Sequence, residues 1–297
     1  MRPTLHGIIV IDKPAGWTSQ DVCGWVRQWA GERKVGHAGT LDPAATGVLP
    51  VAVNDATKVL EFLTGADKAY EAEITFGVAT DSCDIDGVVI ECDENVVSLD
   101  RVLVELDHFR GEIEQTPPAH SAIRINGKRA YDLAREGQDV DMPVRQVIVH
   151  SIEVLGKDNN VLTLSIHCSK GTYIRSIARD LGRRVGSCAY LSNLIRTRSG
   201  PFDLPNAWTT HELADMDPVA EWPTIAEHPD SALPDWHSIV LGDSEARDWL
   251  FGRQIPAQQL NMDLRTRVYD SGGNWAGLAE LDRETQDWRS LRVIGRP

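Results

Sequence analysis

Apolar and polar positions along the first 200 residues follow two periods, one of strands and one of helices. Gly7 to Ile11 is a continuous apolar run closed by Asp12-Lys13-Pro14, which predicts a buried strand entering a turn. Val22, Trp25, Val26 and Trp29 then fall at i, i+3, i+4 and i+7, one apolar stripe of a helix capped by Thr18 or Ser19. Ala56, Val59, Leu60 and Leu63 repeat that spacing, and Gly65 stops the second helix. Tyr70, Ala72, Ile74 and Phe76 alternate with Glu71, Glu73 and Thr75, as in a strand with one buried face. Leu162, Leu164, Ile166 and Cys168 alternate likewise, and Ile174, Ile177, Leu181 and Val185 describe another amphipathic helix. Strands predominate and helices pack over them, so the body, residues 1–200, is predicted to be α+β.

Residues 201–237 hold six of the fifteen prolines and read as an acidic, Pro-rich connector or a loosely structured excursion. Beyond it, residues 238–297 read as a small, mostly β module. Ser244 to Leu250 forms a short helix closed by Gly252. Arg265 to Asp270 and Trp275 to Leu281 flank Ser271-Gly272-Gly273-Asn274 as a hairpin, and Leu291 to Ile294 is a last strand. No apolar run approaches the roughly 18 residues of a membrane helix. Met1 to Gly7 lacks the pattern of a secretory signal. The five cysteines are odd in number and include no C-x-x-C pair, which argues for a reducing cytoplasm and against a disulfide framework or structural zinc.

The net charge of −14 argues against a polyanionic partner until its distribution is read. Pro201 to Leu250 carries eleven acidic side chains and one basic, Arg247. Cys168 to Gly200 carries seven basic side chains (Lys170, Arg175, Arg179, Arg183, Arg184, Arg196, Arg198) against Asp180 alone. A smaller excess, Arg124, Lys128, Arg129 and Arg135 against Asp132 and Glu136, lies between Pro117 and Gly137. Charge runs are usually solvated helix faces, but two basic segments in an acidic chain leave room for a nucleic acid.

Between the first two helices lies Gly36-His37-Ala38-Gly39-Thr40-Leu41-Asp42-Pro43-Ala44-Ala45-Thr46-Gly47-Val48-Leu49. It lacks the Gly-Lys-Ser/Thr ending of a phosphate-binding loop and is not G-x-G-x-x-G. Pro43 confines Asp42 to extended backbone, so the carboxylate is aimed by a stiff chain. On spacing alone, Asp42 caps a turn. Asp81, Asp84, Asp86 and Gly87 suggest a calcium loop, but Ser82 stands where the first aspartate belongs and Asp93 where a bidentate glutamate belongs, so they too read as a turn.

The stretch around Asp42 resembles the catalytic motif of the TruB family, the tRNA pseudouridine-55 synthases, G-H-x-G-[TA]-L-D-P-x-A-x-G-[VM]-L. Gly7 to Ser19 resembles the family's opening Asp-Lys-Pro motif. Asp67-Lys68-Ala69-Tyr70 resembles its tyrosine motif, and Thr80 to Gly87 its aspartate-rich turn. Gln115 to Gly137 resembles its RNA-gripping insertion, and Cys168 to Arg175 its arginine motif. The order is the family's across about 200 residues, and the set together is specific where each motif alone is weak. The resemblance implies a largely antiparallel mixed sheet with packed helices and a small PUA-like C-terminal domain that binds RNA. Its implied activity is isomerisation of a uridine in the T-loop of tRNA.

The resemblance implies that Asp42 is the essential carboxylate, as nucleophile or base. Arg175 is its ion-pair partner, expected to lower its pKa, although alone it reads as a surface arginine at a strand end. Tyr70 packs on the target base, while its alternation reads equally as core. Tyr173 and Leu194 line the uridine pocket, and His37 takes the place of the extruded nucleotide or stacks in the RNA loop. By pattern, Leu194 is ordinary core and a lone histidine near a turn is structural. Lys13 and Pro14 buttress the loop. Lys128, Arg129, Arg179, Arg183 and Arg196 are expected on RNA phosphates, which would offset the cost of swinging the uridine out. In the insertion, His120 replaces an aromatic and Arg124 a lysine.

No cofactor and no metal is implied, because the isomerisation is redox-neutral. The partner is the tRNA T-arm, with no membrane, no obligatory protein partner and a monomeric, cytoplasmic enzyme. The alternative is a non-catalytic RNA-binding or tRNA-folding factor using the same surface, which has no need of a buried carboxylate. A guide-RNA-dependent dyskerin relative is disfavoured because the sequence opens almost at the Asp-Lys-Pro motif. A hydrolase with Asp42 as general base lacks a second carboxylate at suitable spacing.

Overall fold

Thirteen principal strands build two sheets. The first is formed by β1 (Gly7–Lys13), β2 (Thr46–Val53), β3 (Lys68–Phe76), β4 (Gly111–Gln115), β5 (Arg145–Asp158), β6 (Val161–Cys168), β7 (Ala189–Ser199) and β8 (Trp208–Thr209). The second is formed by β9 (His237–Val240), β10 (Ile255–Pro256), β11 (Arg265–Tyr269), β12 (Trp275–Asp282) and β13 (Asp287–Val293). These come from a computed structural model that describes residues 2–121, 124–125, 127–131, 141–257 and 264–295.

The large sheet runs β8-β1-β2-β7-β3-β6-β5-β4, with two short strands added beside β7 and β2. Its pairings are antiparallel except β1 with β8 and β2 with β7. The α+β body that the alternation predicted is thus present, with the mixed, largely antiparallel sheet that the resemblance implied. Ala72, Ile74 and Phe76 of β3 and Leu162, Leu164 and Ile166 of β6 are buried against the helix Ile174–Arg184. The helix Ser19–Ala30 packs Val22 and Val26 on Ile9, Ile11, Leu49 and Val51. Thr18 caps it, and Asp21 reciprocates in a capping box.

The predicted second helix is split into a 3-10 segment, Asn54–Val59, and an α-helical turn, Leu60–Gly65. Gly65 is its last residue, and Ala66 leaves in extended conformation. The buried ammonium of Lys68 receives the loose end by donating to the carbonyls of Leu63, Thr64 and Ala66 at 3.2, 2.9 and 2.6 Å. The Leu63 carbonyl also accepts from the Ala66 N–H at 3.2 Å, so Lys68 completes the acceptors that the end of a helix leaves short of partners.

The loose connector expected at 201–237 is instead folded. Trp208 and Thr209 pair in parallel with Ile11 and Asp12, and Glu227 bridges to Ile8. Leu213, Trp222 and Ile225 are buried in the core beneath the first helix. The prolines misled the reading because Pro205, Pro223 and Pro229 open short helical turns, where a missing N–H costs nothing. Part of the acid excess does local work: Glu212 closes a capping box on Thr209.

The second sheet runs β9-β11-β12-β13-β10 and has its own core of Trp249, Val268, Ala279 and Trp288. It docks on the body through Leu278, which is buried with Val48, Ala52, Val59 and Leu63. Lys58 adds a hydrogen bond to the Val293 carbonyl (2.9 Å), and Arg292 pairs with Glu61.

Candidate active site

The glycine-rich segment leaves the short strand Val35–His37, crosses open backbone and enters β2. It is pinned residue by residue around Asp42. The Leu41 N–H donates to Ser19 Oγ at 2.9 Å, and that hydroxyl donates back to the Leu41 carbonyl at 3.3 Å. The Pro43 carbonyl accepts from the Gly16 N–H (2.8 Å) and from Lys13 Nζ (3.1 Å). Lys13 is fully buried and also donates to the Pro14 and Trp17 carbonyls at 2.8 and 2.6 Å. Burial pushes its ammonium down to about 8. The expected buttress is therefore an ammonium that ties the turn after β1, at Pro14 and Trp17, to the loop itself at Pro43.

Arg196 holds the other side. It is 1% exposed, with Nε on the Val48 carbonyl at 2.7 Å and Nη2 on the Gly39 carbonyl at 3.1 Å. It pairs across strands with Tyr70. Arg196, expected on an RNA phosphate, is instead buried with its guanidinium bonded to backbone carbonyls, while it also lines the cavity beside Asp42. Gly47 is the point of closest approach, at φ 100°, and a Cβ there would stand 2.3 Å from the Arg196 carbonyl oxygen and 2.7 Å from its nitrogen. A Gly47→Ala protein is expected to lose at least about 2 kcal/mol, read as a lower urea midpoint. An unchanged midpoint would show that this approach is not needed.

Arg175 sits in the first turn of the helix Ile174–Arg184 and reaches Asp42 with two nitrogens. Nε is 3.1 Å from Oδ2, and Nη2 is 3.2 Å from Oδ1. Its third nitrogen, Nη1, donates to Asp84 Oδ2 at 3.0 Å and to the Ser82 carbonyl at 3.3 Å. Asp84 also accepts from Ser82 Oγ (2.6 Å) and the Asp86 N–H (3.1 Å) on Oδ1. The aspartate-rich segment is indeed a turn, but one that places a second carboxylate on the arginine. Sequence reasoning missed Asp84, because its partner lies 91 residues away.

One guanidinium thus serves two carboxylates. Arg175 is 8% exposed and Asp84 12%, while Asp42 keeps 41% of its side chain open. Protein crowds Asp42 on its remaining sides, and this burial holds its carboxyl above the ordinary aspartate value. Arg175 pulls it back down, and Asp84 and Asp86 push it up again. The expected lowering by Arg175 is therefore present but outweighed, first of all by burial.

A cavity of about 770 Å³ opens over this pair, lined by Asp42, Tyr70, Tyr173, Leu194, His120 and Tyr131, among others. Its size suits a flipped nucleotide within the range of small-molecule sites. Tyr70 satisfies both readings, packing on the core of β3 while lining the cavity. Burial pushes its phenol up, against the pull of Arg196. Tyr173 is fixed by Gln115, which accepts from its N–H at 3.0 Å and donates to its carbonyl at 3.2 Å. His120 stands edge-on to Tyr131 at 6.1 Å between ring centroids. A smaller cleft of about 210 Å³ flanks Asp42 on its other side, between Ala44 and Leu194.

Other predicted residues are not brought to this cavity. His37 does not line it; its Nδ1 is buried without a hydrogen-bond partner, and burial lowers its pKa. Arg179 is tied to Asp180 and to the Thr116 carbonyl at 2.8 and 2.9 Å. Arg183 is 73% exposed on the same helix, with Asp180 at 3.8 Å. The side chains of Arg124, Lys128 and Arg129, and all of Arg135, lie outside the described residues. With Arg175 and Arg196 buried, the basic surface of 168–200 rests on Lys170, Arg183, Arg184 and Arg198.

An aimed carboxylate on the floor of an aromatic-lined cleft, held by a buried arginine in a mixed sheet, defines the class of the pseudouridine synthases. Solved structures of the same fold include an H/ACA RNP bound to a substrate RNA containing 2′-deoxyuridine (TM-score 0.76, 24% identity, 98% of this chain and 86% of that one). A Cbf5-Nop10-Gar1 complex is also similar (TM-score 0.73, 26% identity, 97% and 84%). Residues 27–174 match the TruB family pseudouridylate synthase N-terminal domain, 175–224 the tRNA pseudouridylate synthase B C-terminal domain, and 238–286 the pseudouridine synthase II TruB C-terminal domain. The tRNA pseudouridine synthase B of Trichormus variabilis is 43% identical over 285 residues, 93% of this chain and 95% of the relative. That of Symbiobacterium thermophilum is 49% identical over 214 residues (71% and 72%), and that of Stutzerimonas stutzeri 37% over 287 (96% and 94%). The chain belongs to the TruB family of pseudouridylate synthases.

Proposed function

We propose that the chain isomerises one uridine of the tRNA T-loop, position 55, to pseudouridine, with Asp42 as the catalytic carboxylate. The observation that carries this reading is the bidentate contact of Arg175 with Asp42 at the cavity floor. In the reaction the N1–C1′ bond breaks, the base turns and C5 bonds to C1′. The C5 proton leaves to solvent and N1 takes one up, so no atom or electron is gained overall. While the base is detached, a group must hold the ribose or remove its proton, and an ionised carboxylate can do either.

Tyr70, Tyr173 and Leu194 form the walls for the uracil ring, and the Tyr70 hydroxyl stands ready to relay a proton. His120 and Tyr131 also line the cavity and offer rings for the bases next to the uridine. Arg183, with Lys128 and Arg129 of the insertion, meets phosphates, and the C-terminal module grips the acceptor side. Phosphate contacts supply affinity without reading sequence. We place the enzyme in the cytoplasm as a monomer without an obligatory protein partner, acting without metal or cofactor. All five cysteines are free thiols, and among the described residues no helix is long and apolar enough to cross a membrane.

Unmodified tRNA treated with the chain and mapped for pseudouridine should show one conversion, in the T-loop. No conversion, or conversion elsewhere only, rejects the proposal. An Arg183→Ala protein should bind tRNA more weakly, with the slope of log affinity against log salt reduced by about one. An unchanged slope removes Arg183 from the interface.

A further inference from the structure

On the face of the large sheet opposite the cavity, three ligand-bearing side chains converge. Ile166 and Cys168 of β6 are buried in the core, so His167 between them points to the other face. In β5 a bulge separates Val149, paired with Cys168, from Ser151, paired with His167, and His150 is the extra residue. A bulge re-aims a side chain, and this one brings the His150 ring within 4.7 Å of the His167 ring. Asp67, at the entrance of β3, completes the group. Its Oδ2 lies 3.0 Å from His150 Nε2 and 3.9 Å from His167 Nε2.

One ligand atom from each residue lies within 4.8 Å of the other two. A tetrahedral zinc with bonds of about 2.0–2.2 Å sets its ligands about 3.3 Å apart. Small side-chain rotations close that difference, because His150 and Asp67 are exposed. Arg198 Nη2 is 2.7 Å from His167 Nε2. Arginine can only donate, so this Nε2 carries its lone pair toward the cluster and the proton of the neutral ring sits on Nδ1. That is the state in which an imidazole ligates metal, and an Arg198 N–H takes up that lone pair.

We propose that Asp67, His150 and His167 form a binding site for a divalent cation of the zinc class, and that Arg198 is the internal cation the metal displaces. Two imidazoles and one carboxylate leave a fourth position for water. No sequence pattern points to this group, because its members come from two strands and the entrance of a third at no characteristic spacing.

The test is calorimetric titration of zinc chloride into the full chain without an affinity tag, with cobalt absorption as a geometry readout. One ion per chain is expected, with tetrahedral cobalt bands. His150→Ala should weaken binding at least about tenfold, whereas Arg198→Gln should tighten it by removing the competing charge. His150 is an exposed bulge residue, so its loss leaves the core untouched. The proposal is overturned if the wild type binds no ion, or if His150→Ala binds equally well, as a site at the exposed Cys92 thiol would. It is also overturned if Arg198→Gln binds no more tightly, since the ion would then sit elsewhere.

Discussion

An Asp42→Asn protein is expected to bind tRNA within about twofold of wild type and to turn over at least about a thousandfold more slowly. Asparagine keeps the shape of the side chain and leaves the loop pinned by Ser19, Gly16, Lys13 and Arg196. What it removes is the negative charge and one of the two oxygens, replaced by an NH2 that can only donate. Single-turnover rates at saturating enzyme separate this loss from any change in affinity. A variant retaining a tenth of the wild-type rate would falsify the assignment of chemistry to Asp42.

Arg175→Met should lower the rate about a hundredfold at neutral pH and recover part of it as pH rises. The sign follows from the site. Asp42 already titrates above an ordinary aspartate because of burial, and Arg175 is the main group pulling it down. Without that cation the carboxylate forms only at higher pH, so the acid limb of the rate profile moves up. Asp84→Asn should move the same limb the other way, because Asp84 pushes Asp42 up. Opposite displacements from two residues on one guanidinium are a signature that general misfolding does not produce. Lysine at 175 should not restore activity, since a point charge cannot match both oxygens of Asp42 and one of Asp84. Removing Arg175 also leaves Asp84 nearly buried without its cation, at a cost of about 3 kcal/mol in stability. Parallel shifts in both variants would contradict the shared-cation arrangement.

The alternation at Tyr70 to Phe76 and Leu162 to Cys168 located the central strands because one face of each is sealed by a helix. The loop around Asp42 was legible through its motif, and its spacing alone gave only a turn. Other features depended on neighbours far along the chain. Arg196 occupies a strand position from which an arginine normally reaches solvent, but here Gly39 and Val48 close over it. Asp84 lay hidden in an ordinary turn until Arg175 arrived from another element. Pro205, Pro223 and Pro229 suggested looseness where they open helical turns, and the buried Leu213, Trp222 and Ile225 between them were too sparse to show a period. The direction of the Asp42 shift needed the competing strengths of burial and four neighbouring charges, Arg175, Asp84, Asp86 and Lys13, which no sequence pattern carries.

The most direct measurement is release of tritium from the uracil 5-position of an unmodified tRNA, followed to completion with excess wild-type chain in the presence of a chelator. One equivalent of label per tRNA is the predicted end point, because forming the C5–C1′ bond must expel that hydrogen. An intact tRNA that keeps its label, at any enzyme concentration, would contradict a carboxylate-driven isomerisation in this cleft.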